Sequence, residues 1–172
     1  EKFTDFIAEN KIVFHPGFIE KQIWSNFHKY AGTVDALASV NGKFGVLDIK
    51  TSTGFYPEYN LQTAAYVLAL QETEIKKAIA LPSDIETRWI LRIDQQKICE
   101  KCGAGLREKG GRSKVRLNGK ESCESDHNWG ESKGIVEIRE FPYFYRDIKA
   151  FLAAKTLWEW ENDYWLRQIG YL

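Results

Sequence analysis

Gly32-Thr33-Val34-Asp35-Ala36-Leu37-Ala38-Ser39-Val40-Asn41-Gly42-Lys43-Phe44-Gly45-Val46-Leu47-Asp48-Ile49-Lys50 is the stretch that decides the reading of this chain. Asn-Gly between two strand-like runs is the strongest short-range hairpin signal, a two-residue type I′ turn. With that turn fixed, Val40 faces Lys43 and Ser39 faces Phe44. The same register carries Asp35 to a position opposite Asp48, and Lys50 to one opposite Thr33. Directly opposed residues have Cβ atoms about 4.5 to 5.5 Å apart, and like charges there destabilise the pair. A divalent cation held by both carboxylates turns that repulsion into a ligand set. Alternate strand residues share a face, so Lys50 points to the same side as Asp48. The hairpin therefore reads as a metal site with a lysine beside it. A structural salt bridge among Asp35, Asp48 and Lys50 is the blander alternative, which the second acid weakens.

Outward from the hairpin, Phe3, Phe6 and Ile7 have helical spacing, and residues 18–24 read as a strand. After a loop holding Gly54 and Pro57 the period changes. Residues 61–70 form a helix with Leu61, Ala65 and Leu68 on its core stripe and Gln62 and Tyr66 on another. Residues 78–81, 88–93 and 134–141 are apolar strand candidates. From about residue 144 to the end a single long helix is expected, its Phe151, Leu152, Trp158, Trp160 and Trp165 serving as core or as a partner surface. This order predicts an α/β fold with a mixed central sheet flanked by helices.

A length of 172 residues suits one domain, and 44% hydrophobic with 14% aromatic residues excludes disorder as a description of the whole chain. No apolar run approaches the roughly 20 residues that span a bilayer, so no membrane partner is expected. No secretory leader is visible and three cysteines cannot all pair internally, which predicts a reducing, cytoplasmic setting of prokaryotic or phage type. The chain lacks methionine and opens in mid-pattern at Glu1-Lys2-Phe3, as a fragment with more sequence upstream would, leaving room for a further domain or a helicase-type partner.

Residues 95–133 are too many for a structureless loop in a compact domain. They hold all three cysteines, as Cys99-x-x-Cys102 and then Cys123, with His127 four positions on. That spacing fits a tetrahedral Cys3His structural zinc site. A disulfide with one leftover thiol and an iron-sulfur cluster are the alternatives. Few core residues lie in this segment, so metal would supply most of its folding free energy. Although the formal net charge of the chain is zero, residues 97–120 carry eight Lys and Arg against Glu100 and Glu108. Lys114, Arg116 and Lys120, around a hairpin expected at Asn118-Gly119, are the candidates for nucleic-acid phosphate contacts.

Taken together, Glu20, Gly32-x-x-Asp35, Asp48-x-Lys50-Thr51 and Gln62-x-x-x-Tyr66 resemble the PD-(D/E)XK nuclease superfamily, and within it the RecB-like exonuclease branch. The resemblance covers about residues 20–70 in motif order, spacing and element type. It implies a restriction-endonuclease-like core over residues 1–94 and 134–172, with residues 95–133 as an inserted zinc-binding module. It also implies that Asp35 and Asp48 hold Mg²⁺ or Mn²⁺, with help from Glu20 and the backbone carbonyl of Ile49. Lys50 would position the attacking water or stabilise the transition state, Gln62 and Tyr66 would brace Lys50 or touch phosphate, and Thr51 and Ser52 would donate to the DNA backbone. The upstream metal-binding histidine of many members has no match at His15 or His28. The expected activity is a metal-dependent deoxyribonuclease, acting on DNA ends or single strands in recombination or repair. A non-catalytic nucleic-acid-binding protein using the basic module is the alternative of another class. A sequence-specific endonuclease is a third reading.

Overall fold

The computed structural model of the chain describes residues 2–117, 123 and 126–172. A short helix α1 (Lys2–Glu9) leads into a meander of β1 (Ile12–Ser25), β2 (Tyr30–Val40) and β3 (Lys43–Lys50). Then follow α2 (Pro57–Leu70), α3 (Thr73–Ala78), β4 (Thr87–Ile98), β5 (Gly105–Lys109), β6 (Arg112–Arg116), β7 (Lys133–Glu140), α4 (Tyr145–Glu161) and α5 (Asp163–Gln168). Strands β1, β2 and β3 pair antiparallel in sequence, β3 pairs parallel with β4, and β4 pairs antiparallel with β7. The parallel pair needs a crossover, and α2 with α3 provides it. The fold is thus α/β with a mixed central sheet flanked by helices, as the sequence predicts.

The β2–β3 turn has the expected form: Asn41 and Gly42 have φ of 51° and 86°, both positive as a type I′ turn requires. Its register runs from Val40↔Lys43 to Ala36↔Leu47 as read from the sequence. Apolar residues alternate to both sides of the sheet. Val34, Val46, Val67, Leu70 and Ile79 build one core layer with α2, while Ile12, Ala38, Leu47, Trp89 and Leu91 build the other, where Phe6 and Ile7 of α1 pack. Among the described residues no helix is long and apolar enough to cross a membrane.

In α2, Leu61 and Leu68 are only half-buried, whereas Thr63, Ala64, Ala65, Tyr66, Val67, Ala69 and Leu70 are buried. The helix lies between the sheet and α4, so burial wraps around it and no single stripe marks its inner face. Residues 78–81 are not a strand. They close α3 in a Schellman motif, with Leu81 N–H on the Lys76 carbonyl (2.9 Å) and Ala80 N–H on the Lys77 carbonyl (3.1 Å). Ala80 holds the left-handed position at φ 53°, where glycine is usual, so the sequence carries no stop signal there. Ala80→Gly is expected to stabilise the fold by roughly 0.5 to 1 kcal/mol and Ala80→Val to destabilise it, read as opposite movements of the thermal midpoint.

The C-terminal segment is two helices, broken at Asn162. Trp158, Trp160 and Trp165 are at least half exposed, so they do not form core. Helix α4 covers α2 rather than the sheet and buries only one edge, where Phe151 meets Tyr30 edge-on at 5.0 Å. The hairpin of the inserted segment turns on Gly110-Gly111, with φ of 57° and 73°, while Asn118-Gly119 and Lys120 lie outside the described residues. Because β4 and β7 pair from Trp89↔Glu140 to Gln96↔Lys133, the segment between them rises from the open end of an already paired couple.

Candidate active site and metal centre

Val46, Asp48 and Lys50 alternate onto the α2 side of β3. Val46 disappears into the core with Tyr66 and Val67, Asp48 lies at the buried margin, and Lys50 reaches the edge with its side chain 20% exposed. The Lys50 ammonium donates to Asp48 Oδ1 at 3.0 Å and to Gln62 Oε1 at 2.8 Å, and sits 5.2 Å from the centroid of the Tyr59 ring. Gln62 in turn donates from Nε2 to the Tyr66 hydroxyl at 2.8 Å. An ammonium can only donate, so the Gln62 oxygen must face Lys50 and its NH₂ must face Tyr66. Gly32 makes this possible on the β2 side. A Cβ there would lie 2.9 Å from Tyr66 Cε1, so any larger residue would displace the ring.

Asp48 Oδ2 is 2.7 Å from the same ammonium, close enough for an ion pair, yet it is buried and receives no hydrogen bond of adequate geometry. Burial pushes the Asp48 carboxyl up to about 6, against the opposing pull of the Lys50 hydrogen bond and charge, and the Asp35 carboxylate adds to the rise. Tyr66 is raised by its own burial and by the charges of Asp48 and Asp35, against the Gln62 hydrogen bond. Asp48 Oδ2 already faces one cation, the Lys50 ammonium.

Asp35 stands one step beyond the last β2–β3 pair, and its Oδ2 accepts the Ile49 amide proton at 2.7 Å. A strand residue's N–H and C=O point to the same edge, so the Ile49 carbonyl faces the Asp35 side. Glu20 is exposed, with a left-handed φ of 47°, and the pairs Ile19↔Ala36 and Lys21↔Val34 keep one register on either side of it, the register shift of β1 lying earlier, between Phe14 and Ile19. It lies across from Asp35 along the chain but does not join the acids: among the described residues no group of three carboxylates is placed to share an ion.

Thr51 and Ser52 are already engaged. Ser52 donates its hydroxyl proton to the Gly54 carbonyl at 2.8 Å, and the Thr51 hydroxyl accepts from Lys109 at 2.7 Å. Lys109 and Arg107 of β5 also donate to the Thr51 carbonyl, at 2.7 and 2.9 Å, and Arg92 donates to the Ser52 carbonyl at 2.9 Å. Arg107 is held in turn by buried Asp94 at 2.5 Å. The loop that follows Lys50 is thus anchored by β4 and β5. Tyr59, Arg92, Asp94, Arg107 and Lys109 are absent from the sequence-based site. Charged Arg92 and Asp94 inside an apolar strand were the available signal.

Cys99, Cys102, Cys123 and His127 do converge, their ligand atoms all within 4.8 Å of one another. Cys99 and Cys123 sulfurs are 3.9 Å apart and Cys102 Sγ is 3.4 Å from His127 Nδ1. A tetrahedral zinc with bonds of about 2.3 Å to sulfur and 2.0 Å to nitrogen has edges near 3.8 and 3.5 Å, so the donor set fits such an ion. All three thiols are free, as metal ligands must be. Cys99 bridges to Trp129, Glu100 N–H bonds the Asn128 carbonyl at 2.9 Å, and the Trp129 ring stacks on His127 at 4.6 Å. Burial would raise the Cys99 thiol, but hydrogen bonds from the Cys102 amide, His127 and the Lys101 amide bring it down to about 6, favouring the thiolate a metal takes. This Cys3His group can hold a metal ion such as zinc.

One zinc per chain is expected by elemental analysis of protein purified without added metal; iron would contradict it. Cys102→Ser is expected to release the ion and to speed hydrogen exchange across residues 97–117 while β1 to β3 stay protected. Uniform loss of protection would mean that the segment is integral to the core.

No protein-family model matches the chain, and no curated protein matches it.

Proposed function

We propose that the chain is a metal-dependent DNA nuclease of PD-(D/E)XK type, RecB-like, with a restriction-endonuclease-like core that hydrolyses phosphodiester bonds at DNA ends or in single strands during recombination or repair. The observation that carries this reading is the continuous contact chain Asp48–Lys50–Gln62–Tyr66, which links motif residues on two elements around a buried carboxylate. A salt bridge kept for stability alone would not need a second acid beside it or a glutamine fixed in orientation by a tyrosine.

Asp48, Asp35 and the Ile49 carbonyl are the hard oxygen donors that would hold Mg²⁺ or Mn²⁺. Such an ion supplies charge neutralisation at the scissile phosphate and a more acidic bound water. The residues of the chain do the rest. Lys50, held between Asp48 and Gln62, brings a fixed positive charge to where negative charge grows on the phosphoryl group, and orients the attacking water. Gln62 and Tyr66 keep the ammonium from turning away. Glu20, which the β1–β2 register sets across from Asp35, would add a carboxylate to that ligand set when the site is loaded.

A non-catalytic nucleic-acid-binding protein is the second reading, favoured by the position of Glu20 outside the acid pair. Incubation of end-labelled single- and double-stranded DNA with the chain in Mg²⁺, Mn²⁺ or EDTA separates the two. Cleavage in either metal and none in EDTA is expected. Binding without cleavage in every metal would favour the second reading.

A further inference from the structure

The β5–β6 hairpin has one face made of cations. Alternate residues share a side of a strand, so Arg107 and Lys109 lie with Arg112, Lys114 and Arg116. Cross-strand pairing sets them in direct opposition, Arg107 against Lys114 and Lys109 against Arg112. Like charges placed opposite one another destabilise a hairpin. Asp94 pairs with Arg107, and the side chains of Arg112, Lys114 and Arg116 stand exposed. Such a ladder is a poor device for folding and a good one for holding a chain of anions. Successive cations on one strand face are about 6.7 Å apart, a spacing comparable with that of neighbouring phosphates on a single nucleic-acid strand.

This face forms one wall of a groove of about 470 Å³, and Thr53 and Tyr56 belong to the other. Tyr56 is 39% exposed, its hydroxyl is bonded to Thr53 at 2.7 Å, and its ring meets Tyr59 edge-on at 5.5 Å. Tyr59 carries Lys50 over its own ring. Tyr56 lines the groove together with the cationic face, and the contacts Tyr56–Tyr59 and Tyr59–Lys50 connect its wall to the lysine of the proposed active site. Its volume falls in the range that takes small molecules, room for one or two nucleotides and not for a duplex. A duplex also hides its base faces in the stack, whereas a single strand offers phosphates and bases together.

We propose that this groove binds a single DNA strand on one side of the scissile bond, its phosphates on Arg112, Lys114 and Arg116 and a base on Tyr56. The proposal rests on the nuclease reading for its direction toward Lys50, but binding itself does not require cleavage.

The test is fluorescence anisotropy of a labelled single-stranded oligonucleotide and of its duplex, in buffer with neither Mg²⁺ or Mn²⁺ nor a chelator so that the Cys3His group keeps its metal, over a salt series. The wild-type chain is expected to prefer the single strand. Tyr56→Leu should weaken single-strand binding about 5- to 150-fold and leave duplex binding nearly unchanged. Arg112→Gln with Lys114→Gln should lower the slope of log affinity against log salt by roughly 1.4, two phosphates at about 0.7 each, and Lys114→Arg should keep it. An unchanged slope, or a Tyr56→Leu chain that binds single strands as the wild type does, overturns the groove assignment. A chain that passes these tests yet cleaves no DNA in Mg²⁺ or Mn²⁺ overturns the nuclease reading and leaves the groove standing.

Discussion

Asp48→Asn is expected to leave the chain more stable and without nuclease activity. Burial holds the Asp48 carboxyl near 6 in the folded chain, against an ordinary value of 3.8. A carboxyl raised on folding binds its proton more tightly when folded, so its protonation contributes stability that is fully present below about pH 3.8. That contribution is lost as pH rises through 6. At pH 7.5 and without metal the ionised group therefore costs the fold about 3 kcal/mol relative to a neutral one. Asparagine is neutral at every pH. In EDTA at pH 7.5 its thermal midpoint should exceed that of the wild type by roughly 6 to 12 °C, and the gap should close as pH falls toward 4. Cleavage should vanish at the same time, because the amide no longer offers the anionic oxygen that a hard cation needs. A midpoint that falls in the variant at pH 7.5 would make Asp48 a structural salt-bridge partner.

Arg88 gives the second large effect, and it belongs to the fold. Its side chain is fully buried and ties four places together: Nε donates to the Phe141 carbonyl at 3.1 Å, Nη1 to the Asn60 carbonyl at 2.6 Å and to Thr63 Oγ1 at 3.3 Å, and Nη2 to Asp147 of α4. Burial lowers the pKa of the guanidinium, against the hydrogen bond and charge of Asp147. Removing one partner of such a pair leaves its acceptors unanswered and costs about 3 to 5 kcal/mol. Arg88→Ala should lower the thermal midpoint by about 6 to 20 °C. Arg88→Lys should recover little of it, since a point charge cannot serve acceptors in several directions as a planar fork does. A midpoint within 2 °C of wild type, in roughly the error of such a scan, would show that α4 is held by other contacts.

The β2–β3 hairpin was legible because its turn chemistry, charge opposition and alternation all act over a few residues. The Cys3His ligands were legible for the same reason, as a spacing rule. What escaped depends on contacts made across the fold. Leu61 and Leu68 looked like core because periodicity cannot say that α4 will lie on the other side of α2. Residues 78–81 looked like a strand because Ala80 occupies a position that normally announces itself as glycine. Arg107 and Lys109 were visible only as charge, since their grip on Thr51 follows from the pairing of β4 with β5. The register of Glu20 rests on resemblance alone in the sequence; its neighbours' pairs do set it across from Asp35, but no motif announces the left-handed backbone at φ 47° or that its side chain stays exposed.

The central claim is that Lys50 acts on a phosphodiester bond beside metal-bound Asp35 and Asp48. Single-turnover cleavage of saturating end-labelled DNA by Lys50→Ala, in Mn²⁺ and beside the wild type, tests it most directly. The expected rate is lower by about 10² to 10³ with oligonucleotide affinity unchanged, because one preorganised donor at the developing oxyanion has that value. A Lys50→Ala chain that cleaves at the wild-type rate would contradict it.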